Sequence, residues 1–341
     1  MGPFPVRRQS GSVGTDSPYL RPGALRVHEV SRSNTEIPPF FIVGFQRSGT
    51  TLLRMMLDSQ PDVAIPLDTT GLWARYEQRL DEFGSLAETL SRRRLAESIL
   101  SDERIRLWET PLTVDDVIYE ARLPGYPGVI EGFHRAYARA KGKTYWGDKD
   151  PGNMGRLGSV LRWFPDARIV HIVRDGRDAC ISLLKQEFGG EDLLQCAETW
   201  REQVWWVRQI GRIMGESQYF ELRYEDLVER PEQILRGLVA FLGLEWSQSM
   251  LEYHLRVDEA VPAEKRHIWP LLDSPPQPSA LYRWKTDMSP GKRVCFEKRA
   301  GQVLQDLRYE TLSGGASGAY VTELTLSLRR VLAAVAGGMR R

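Results

Sequence analysis

The sequence has little cysteine and almost no net charge. Its 341 residues include three cysteines, an odd number that matches no metal-ligand spacing, so we predict buried free thiols at Cys180, Cys196 and Cys295. The 46 basic and 45 acidic residues leave a formal net charge of +1, which excludes a strong overall attraction to nucleic acid. Any basic binding site must therefore be local.

Long apolar runs are also missing. No stretch approaches the ~20 apolar residues of a membrane-spanning helix, and residues 1–37 contain no apolar core of a secretory signal peptide. We therefore expect a cytoplasmic protein without a membrane span. The composition, 42% hydrophobic and 27% charged, is typical of a folded enzyme with a sizeable core.

The chain divides into four predicted segments. Residues 1–37, rich in Pro, Gly, Ser and Arg, predict a flexible N-terminal arm. The folded domain is predicted over residues 38–310, and the glycine-rich stretch 311–319 is a linker. An amphipathic helix is predicted over 320–341, and we expect it to pack onto the body rather than to contact a membrane.

Strands and helices alternate within the folded domain. Apolar runs at 40–44, 62–66, 167–173 and 219–227 are typical of buried strands, and helical patterns follow them. This order predicts a three-layer α/β fold of the P-loop type, with a mostly parallel central sheet flanked by helices. Residues from about 72 to 140 are mostly helical in pattern and predict an inserted helical layer.

The stretch Gly-Phe-Gln-Arg-Ser-Gly-Thr-Thr at 44–51 has the spacing of a phosphate-binding P-loop, but Thr50 occupies the lysine position. Backbone N–H groups of such a loop, and the positive end of the helix after it, bind phosphate. Arg47 lies inside the loop, and its planar guanidinium suits a pair of sulfate or phosphate oxygens. Taken alone, the motif is moderately specific, because a strand-turn-helix without a ligand would also carry it.

A second anion site is indicated after the strand at 167–173. Arg174 ends that strand, and Ser182 follows about two turns into the next helix. Ligands of parallel α/β folds bind at the carboxyl edge of the sheet, where these two side chains would hold a dianionic phosphate from two sides. By itself this segment favours surface arginines beside an ordinary helix N-cap.

Together the two segments resemble the sulfotransferases that use 3′-phosphoadenosine-5′-phosphosulfate (PAPS). The resemblance is closest to tyrosylprotein sulfotransferases and their bacterial relatives, and it extends from about Pro38 to Tyr309. It implies an enzyme that moves the sulfonate group of PAPS in line to an acceptor hydroxyl and releases PAP, with no metal. The matching stretches are RSGTTLLRMMLDSQPDV, DKDPGN, FPDARIVHIVRDGR, RYEDLVERPEQILRGLVAFLGL and ALYRW.

The resemblance also assigns nucleotide-binding residues. It implies that Arg174 and Ser182 hold the 3′-phosphate, that Tyr224 lies near the adenine and the phosphates, and that Arg283 belongs to a segment covering the nucleotide. The residues implied to hold the 5′-phosphosulfate are Arg47, Ser48, Gly49, Thr50 and Thr51.

The predicted catalytic residues are Arg47, Asp68 and Lys149. The loop itself places Arg47 beside the scissile bond, and the resemblance implies that Lys149 approaches the transferring sulfonate. Asp68 occupies the position where related enzymes usually carry a glutamate base. From the residues alone, Asp68 is equally the cap of a helix beginning near Thr70, and the alternating charges around Lys149 favour a lysine that pairs with its two aspartate neighbours on a solvated turn.

Two other functions remain open at this point. A P-loop kinase or NTPase with a deviant Walker A motif would use Asp175 as its magnesium-binding aspartate, but it gives no reason for Thr50 in the lysine place. A non-catalytic nucleotide-binding module gives no reason for Arg47 and Lys149 beside the loop. For the sulfotransferase, we expect a small-molecule, glycan or lipid acceptor, with a peptide tyrosine less favoured.

Overall fold

The structure is a computed structural model that describes residues 37–108, 110–190 and 192–312. The predicted N-terminal arm up to residue 36, nearly all of the predicted linker and the whole predicted C-terminal helix therefore lie outside the described residues. Within the described residues, no helix is long and apolar enough to cross a membrane.

A five-stranded sheet forms the centre of the described chain, with strand order β2-β3-β1-β4-β5 and every pairing parallel. The predicted fold class, a mostly parallel sheet flanked by helices, is confirmed. The strands are β1 (Phe40–Val43), β2 (Val63–Ala64), β3 (Tyr145–Lys149), β4 (Arg168–Val173) and β5 (Tyr219–Arg223).

Helices connect the strands and cover both faces of the sheet. Short 3-10 segments supplement them at Leu80–Phe83, Pro151–Arg156, Gln248–Met250, Tyr253–Arg256, Ala263–Ile268 and Pro278–Ala280. The α-helices of the described residues are α1 (Thr50–Asp58), α2 (Leu72–Glu77), α3 (Thr89–Leu100), α4 (Glu103–Arg106), α5 (Val114–Glu120), α6 (Gly125–Ala140), α7 (Leu157–Trp163), α8 (Gly176–Leu184), α9 (Leu193–Met214), α10 (Tyr224–Glu229), α11 (Pro231–Leu242), α12 (Val257–Ala260), α13 (Trp284–Asp287) and α14 (Pro290–Asp306).

The sheet separates two apolar cores. Successive side chains of a strand point to opposite faces, so Phe40 and Ile42 pack with α1 and α11 while Phe41 and Val43 pack with α6, α9 and α14. Both faces of β1 are therefore buried, which explains why its sequence is an unbroken apolar run. The segment predicted as a helical layer contains α2 to α6.

Strand β3 was not predicted from the sequence, because its end is charged and resembles a turn. It nevertheless lies between β2 and β1, and the side chains of Asp148 and Lys149 are buried. The alternative prediction of Lys149 on a solvated turn is therefore wrong. The charged end of this buried strand is explained by its contacts, because Lys149 pairs with Asp68 and Asp148 accepts a hydrogen bond from Thr69.

Two further predictions need correction. The strand predicted at 219–227 ends at Arg223, and α10 begins at Tyr224 with two carboxylates in its first turn, where the helix dipole favours them. Cys180 and Cys196 are buried as predicted, but Cys295 on α14 is exposed. Cys295 directly precedes the buried Phe296, and one residue turns a helix by about 100° away from the core face.

Candidate active site

The carboxyl ends of all five strands meet at one edge of the sheet, and each delivers a candidate residue. Ligands of parallel α/β folds bind at this edge. Residues far apart in the sequence are brought together there, because each lies at the end of its strand, in the loop after it or, for Tyr224, at the first residue of the helix that follows. In strand order β1 to β5, the residues are Arg47, Asp68, Lys149, Arg174 and Tyr224.

The phosphate loop requires both of its glycines. A side chain on Gly44 would lie 2.5 Å from the carbonyl oxygen of Ile172, and one on Gly49 would lie 2.3 Å from the ring of Tyr224. Gly49 also has φ +91°, a left-handed conformation that glycine adopts without strain.

Gly49 is the N-cap of α1, and no side chain caps that helix, so the N–H groups of its first turn remain available to an anion.

A first cavity of about 420 Å³ opens beside this loop. Of the nucleotide-binding residues predicted from the sequence, Ser48 alone is absent from its lining. Its side chain is fully buried, and its hydroxyl has no hydrogen-bond partner among the described residues. The predicted residues that line the cavity are Arg47, Gly49, Thr50, Thr51, Arg174, Ser182, Tyr224 and Arg283.

Arg174 is held in place at this cavity. Its guanidinium lies 4.6 Å from the ring centre of Tyr224, and its Nη1 donates to the carbonyl oxygen of Arg47 over 3.1 Å. Its Nε is buried and has no partner among the described residues. An unpaired buried guanidinium nitrogen is costly unless an anion satisfies it. The donors that the loop and Arg174 present therefore fit a ligand with more than one anionic group.

A second cavity, of about 460 Å³, lies on the other side of the loop. Asp68 and Lys149 line it, together with Arg104 of α4. Lys149 Nζ lies 3.3 Å from Asp68 Oδ1, and Arg104 Nη1 lies 2.9 Å from Asp68 Oδ2. The rest of the wall is mixed. Its apolar side chains are Leu67, Leu107, Pro151, Phe188, Ile268 and Trp269, and its other polar and charged ones are Gln46, Thr50, Thr51, Thr70, Glu103 and Lys265.

Asp68 stays ionised despite its burial. Burial alone would raise the pKa of its carboxyl, but Lys149, hydrogen bonds from Thr70 and the charge of Arg104 outweigh it, and the pKa lies below the usual range. Its Oδ1 accepts from both the backbone N–H and the hydroxyl of Thr70. The prediction of a cap for a helix near Thr70 is wrong, because α2 begins at Leu72 with Gly71 as its N-cap.

Arg47 lies at the boundary that the two cavities share, because it lines both of them, as do Thr50, Thr51, Ile268 and Trp269. Its Nε donates to Ser182 Oγ over 3.1 Å, and its Nη2 donates to the carbonyl oxygen of Ile268 over 3.2 Å. Its φ of +66° is rare for a residue with a side chain, which indicates local strain of the kind found at functional sites. Burial and the neighbouring charge of Arg174 lower the pKa of its guanidinium.

The magnesium site of the kinase alternative is not formed. Asp175 Oδ1 accepts from the backbone N–H and Nε of Arg177, each over 3.0 Å, and its Oδ2 accepts from Nη2 over 2.7 Å. Both carboxylate oxygens are therefore used in a buried ion pair. Asp175 is absent from the lining of either cavity.

Several residues of the site carry no signal that predicts them from the sequence. Arg104 reaches Asp68 from the helical insert, 36 residues later in the chain, and no local pattern marks it. Ile268 and Trp269 line both cavities from a segment with no recognisable motif. Thr69 directly follows Asp68, and Asp150 directly follows Lys149. Their position next to predicted catalytic residues is the one sequence signal that indicates a place in the site.

Known proteins are similar to this chain over more than half of its length. The model described as "Sulfotransferase family" matches residues 38–248, more than half of the chain. The chain is 29% identical over 231 residues to protein-tyrosine sulfotransferase 2 of Gallus gallus, covering 66% of this chain and 56% of the relative. It is 27% identical over 241 residues to protein-tyrosine sulfotransferase 1 of Homo sapiens, covering 69% and 59%. The chain thus spans little more than half the length of these curated relatives.

Two solved structures share the fold. A sulfotransferase domain from the Synechococcus PCC 7002 olefin synthase has a TM-score of 0.53 at 20% identity and covers 80% of this chain and 97% of the domain. A sulfotransferase domain from the curacin biosynthetic pathway has a TM-score of 0.57 at 17% identity and covers 81% and 100%. At identities of 20% and 17%, these two matches show a shared fold and do not identify a substrate.

Proposed function

Because the chain belongs to the sulfotransferase family, we propose that it transfers the sulfonate group of PAPS to the hydroxyl of an acceptor and releases PAP. In the proposed reaction the acceptor oxygen forms a bond to sulfur while the bond between sulfur and the 5′-phosphate oxygen breaks. The electron pair of that bond leaves with PAP, and the hydroxyl proton passes to a base of the protein.

The observation that carries the proposal is the position of Arg47. It lies between one cavity lined by anion-binding groups and a second cavity lined by a carboxylate and a lysine. A group in transfer from donor to acceptor must pass this boundary, and a guanidinium there stabilises the negative charge of its oxygens. The bond from Arg47 Nε to Ser182 holds the side chain in that place before a substrate binds.

The first cavity is assigned to PAPS. Its 5′-phosphosulfate would bind the first-turn N–H groups of α1 together with Thr50 and Thr51. The 3′-phosphate would bind Arg174 and Ser182, and it would satisfy the unpaired buried Nε of Arg174. Arg283 lines the same cavity with a half-exposed side chain and would cover the nucleotide.

The second cavity is assigned to the acceptor, with Asp68 as the base. Asp68 is ionised at neutral pH and can therefore accept a proton. A carboxylate with a low pKa is a weak base, so it takes the proton only as the oxygen–sulfur bond forms and makes the hydroxyl more acidic. A phenol, which is more acidic than an alkyl alcohol, is therefore the more suitable acceptor. Lys149 places a positive charge beside Asp68 and the transferring group.

We further propose a phenolic acceptor. The apolar side chains in the wall of the second cavity suit an aromatic ring, and the curated relatives are named as protein-tyrosine sulfotransferases. A free phenol and a tyrosine side chain share this chemistry. Transfer from PAPS to 2-naphthol, tyramine and a tyrosine-containing peptide, measured side by side, distinguishes the two sources. Transfer to a sugar or sterol hydroxyl but to none of the phenols would overturn the phenolic assignment.

The donor assignment is tested by calorimetry with PAP, AMP and ATP plus magnesium. We expect PAP to bind, AMP to bind at least ~10-fold more weakly because it lacks the 3′-phosphate, and ATP plus magnesium not to bind. Replacing Arg174 by Gln should remove the preference for PAP over AMP, because the guanidinium is the proposed partner of the 3′-phosphate. Binding of ATP plus magnesium in preference to PAP would contradict the proposal.

A further inference from the structure

Asp148 and Lys149 end β3, Asp150 follows directly, and each of the three bonds to a different residue of the loop after β2. We call Asp148, Lys149 and Asp150 the β3 clamp and residues 67–71 the base loop. Lys149 pairs with Asp68 over 3.3 Å in the second cavity. The two aspartates are absent from that cavity's lining, as expected because neighbouring residues of an extended chain point to opposite sides.

The aspartates bond to the other polar groups of the base loop. Thr69 Oγ1 donates to Asp148 Oδ1 over 2.5 Å, and the backbone N–H of Gly71 donates to Asp150 Oδ2 over 2.9 Å. Gly71 has φ +71°, so the backbone there requires glycine. The base loop is therefore held at three of its residues. Asp68 bonds to Lys149 on the cavity side, and Thr69 and Gly71 bond to the two aspartates on the other side.

The base loop depends on these bonds because β2 is short. Backbone pairing between β2 and β3 joins Val63 to Tyr145 and Ala64 to Trp146, and the ladder ends there. Beyond Ala64, side chains of β3 take the place of backbone hydrogen bonds in holding the neighbouring segment. The position of Asp68, four residues after the last residue of β2, is thus set by side-chain contacts.

Both aspartates are themselves fixed from a second direction. Asp148 is fully buried, and His134 Nε2 and Asn153 Nδ2 lie 3.4 and 3.5 Å from its carboxylate oxygens. Asp150 is 2% exposed, and its Oδ1 accepts from the N–H of Gly152 over 2.7 Å. Burying a carboxylate costs free energy unless it is well bonded, so two such groups side by side indicate a requirement for their positions.

We propose that Asp148 and Asp150 are positioning residues, which fix the base loop on β3 so that Asp68 meets both Lys149 and the acceptor hydroxyl. This inference rests on the proposed sulfonate transfer. A misplacement of about 1 Å at a reacting group can cost ~10²-fold in rate, so the clamp acts on kcat. It leaves nucleotide binding unchanged, because the nucleotide cavity is lined by other residues.

The test replaces Thr69 by Val, which removes the hydroxyl at nearly constant shape, and by Ser, which keeps it. With PAPS and 2-naphthol, we expect Thr69→Val to lower kcat by ~10-fold or more and Thr69→Ser to restore it to within about threefold. Asp150→Asn, which keeps one of two acceptor oxygens, should lower kcat similarly. The affinity for PAP should stay within about twofold in all three variants.

Thr113→Val is the matched control. Thr113 also donates its hydroxyl to an aspartate, Asp116, but it caps α5 and lines neither cavity. We expect it to leave kcat unchanged, whatever its effect on the urea unfolding midpoint. Equal loss of kcat in Thr113→Val and Thr69→Val, or full kcat in Thr69→Val and Asp150→Asn, would overturn the positioning role.

Hydrogen exchange gives a readout that does not require activity. We expect the Gly71 amide to exchange about tenfold faster in Asp150→Asn, with the Leu53 amide in α1 unchanged. If the wild-type protein transfers no sulfonate but Gly71 loses protection in this variant, the proposed function fails while the anchoring stands. If Gly71 exchanges equally in wild type and variant, the anchoring by Asp150 is refuted.

Discussion

At the scale of single residues, Arg47 carries the largest part of the proposed chemistry. Removing one donor that stabilises a developing charge typically costs ~10²–10³ in rate. We therefore expect Arg47→Ala to lower kcat with PAPS and 2-naphthol by at least ~10² while PAP still binds, because Arg174 and the first-turn N–H groups of α1 remain. Full activity in the variant would reject the assignment.

Arg104 affects the reaction through Asp68. Its charge is one of the causes that hold the pKa of Asp68 low, so Arg104→Gln should raise that pKa. Since the ionised carboxylate is the active base, the loss of kcat at acid pH should begin at a higher pH in the variant than in wild type. A kcat profile from pH 3 to 7 with 2-naphthol measures this shift.

Arg106→Gln is the control for this experiment, because Arg106 belongs to the same helix but is exposed and lines neither cavity. Its profile should superimpose on that of wild type. An acid limb that stays in place in Arg104→Gln would show that Arg104 has no influence on the base.

At the scale of the element, the phosphate loop depends on backbone conformation. Gly49→Ala would place a methyl group against the ring of Tyr224 at a left-handed φ. We expect PAP affinity to fall by ~10² or more, because the N–H groups of the first turn of α1 would be displaced. Gly291→Ala in α14, where a Cβ meets no atom within 4 Å, should bind PAP normally. Normal PAP binding by Gly49→Ala would contradict the role given to the loop.

What the sequence predicts well is local, and what it misses depends on tertiary contacts. The loop at Gly44 to Thr51 and the run before Arg174 carry their signals within a few residues, so both were placed correctly. Strand β3 was missed because Asp148 and Lys149 are charged, and their burial makes sense only beside Thr69 and Asp68. Arg104 was missed for the same reason, since no short-range pattern relates it to Asp68. The strand ending at Arg223 was overextended because α10 follows it without a turn.

At the scale of the whole molecule, buried carboxyls shape the response of stability to pH. Burial and the charge of Asp148 raise the pKa of Asp150 from 3.8 to about 7. Between about pH 4 and about 7, the folded chain therefore holds a proton at Asp150 that the unfolded chain has released, so lowering the pH through this range favours the folded state. Asn at position 150 does not titrate.

We accordingly expect the unfolding free energy of wild type to rise relative to that of Asp150→Asn as the pH falls from 7 to 4.5. Urea unfolding of both proteins at a series of pH values measures this difference, in which the other carboxyls largely cancel. Glu221 acts in the opposite direction, since His171 and its other partners overcome burial and lower its pKa to about 2, but its contribution is lost only below about pH 4.5. A difference that is constant across the series would refute the shift at Asp150.

The distribution of the site over five strand ends has a consequence for synthesis of the chain on the ribosome. Arg47 emerges early, but its partner Ser182 and the cavity residue Arg283 are made 135 and 236 residues later. A partial chain that ends before β5 contains the phosphate loop, Arg174 and Ser182 but lacks Tyr224, Arg283 and the rest of the lining that completes the nucleotide cavity. Nascent chains stalled before residue 219 should therefore fail to bind immobilised PAP, so nucleotide capture reports completion of the sheet.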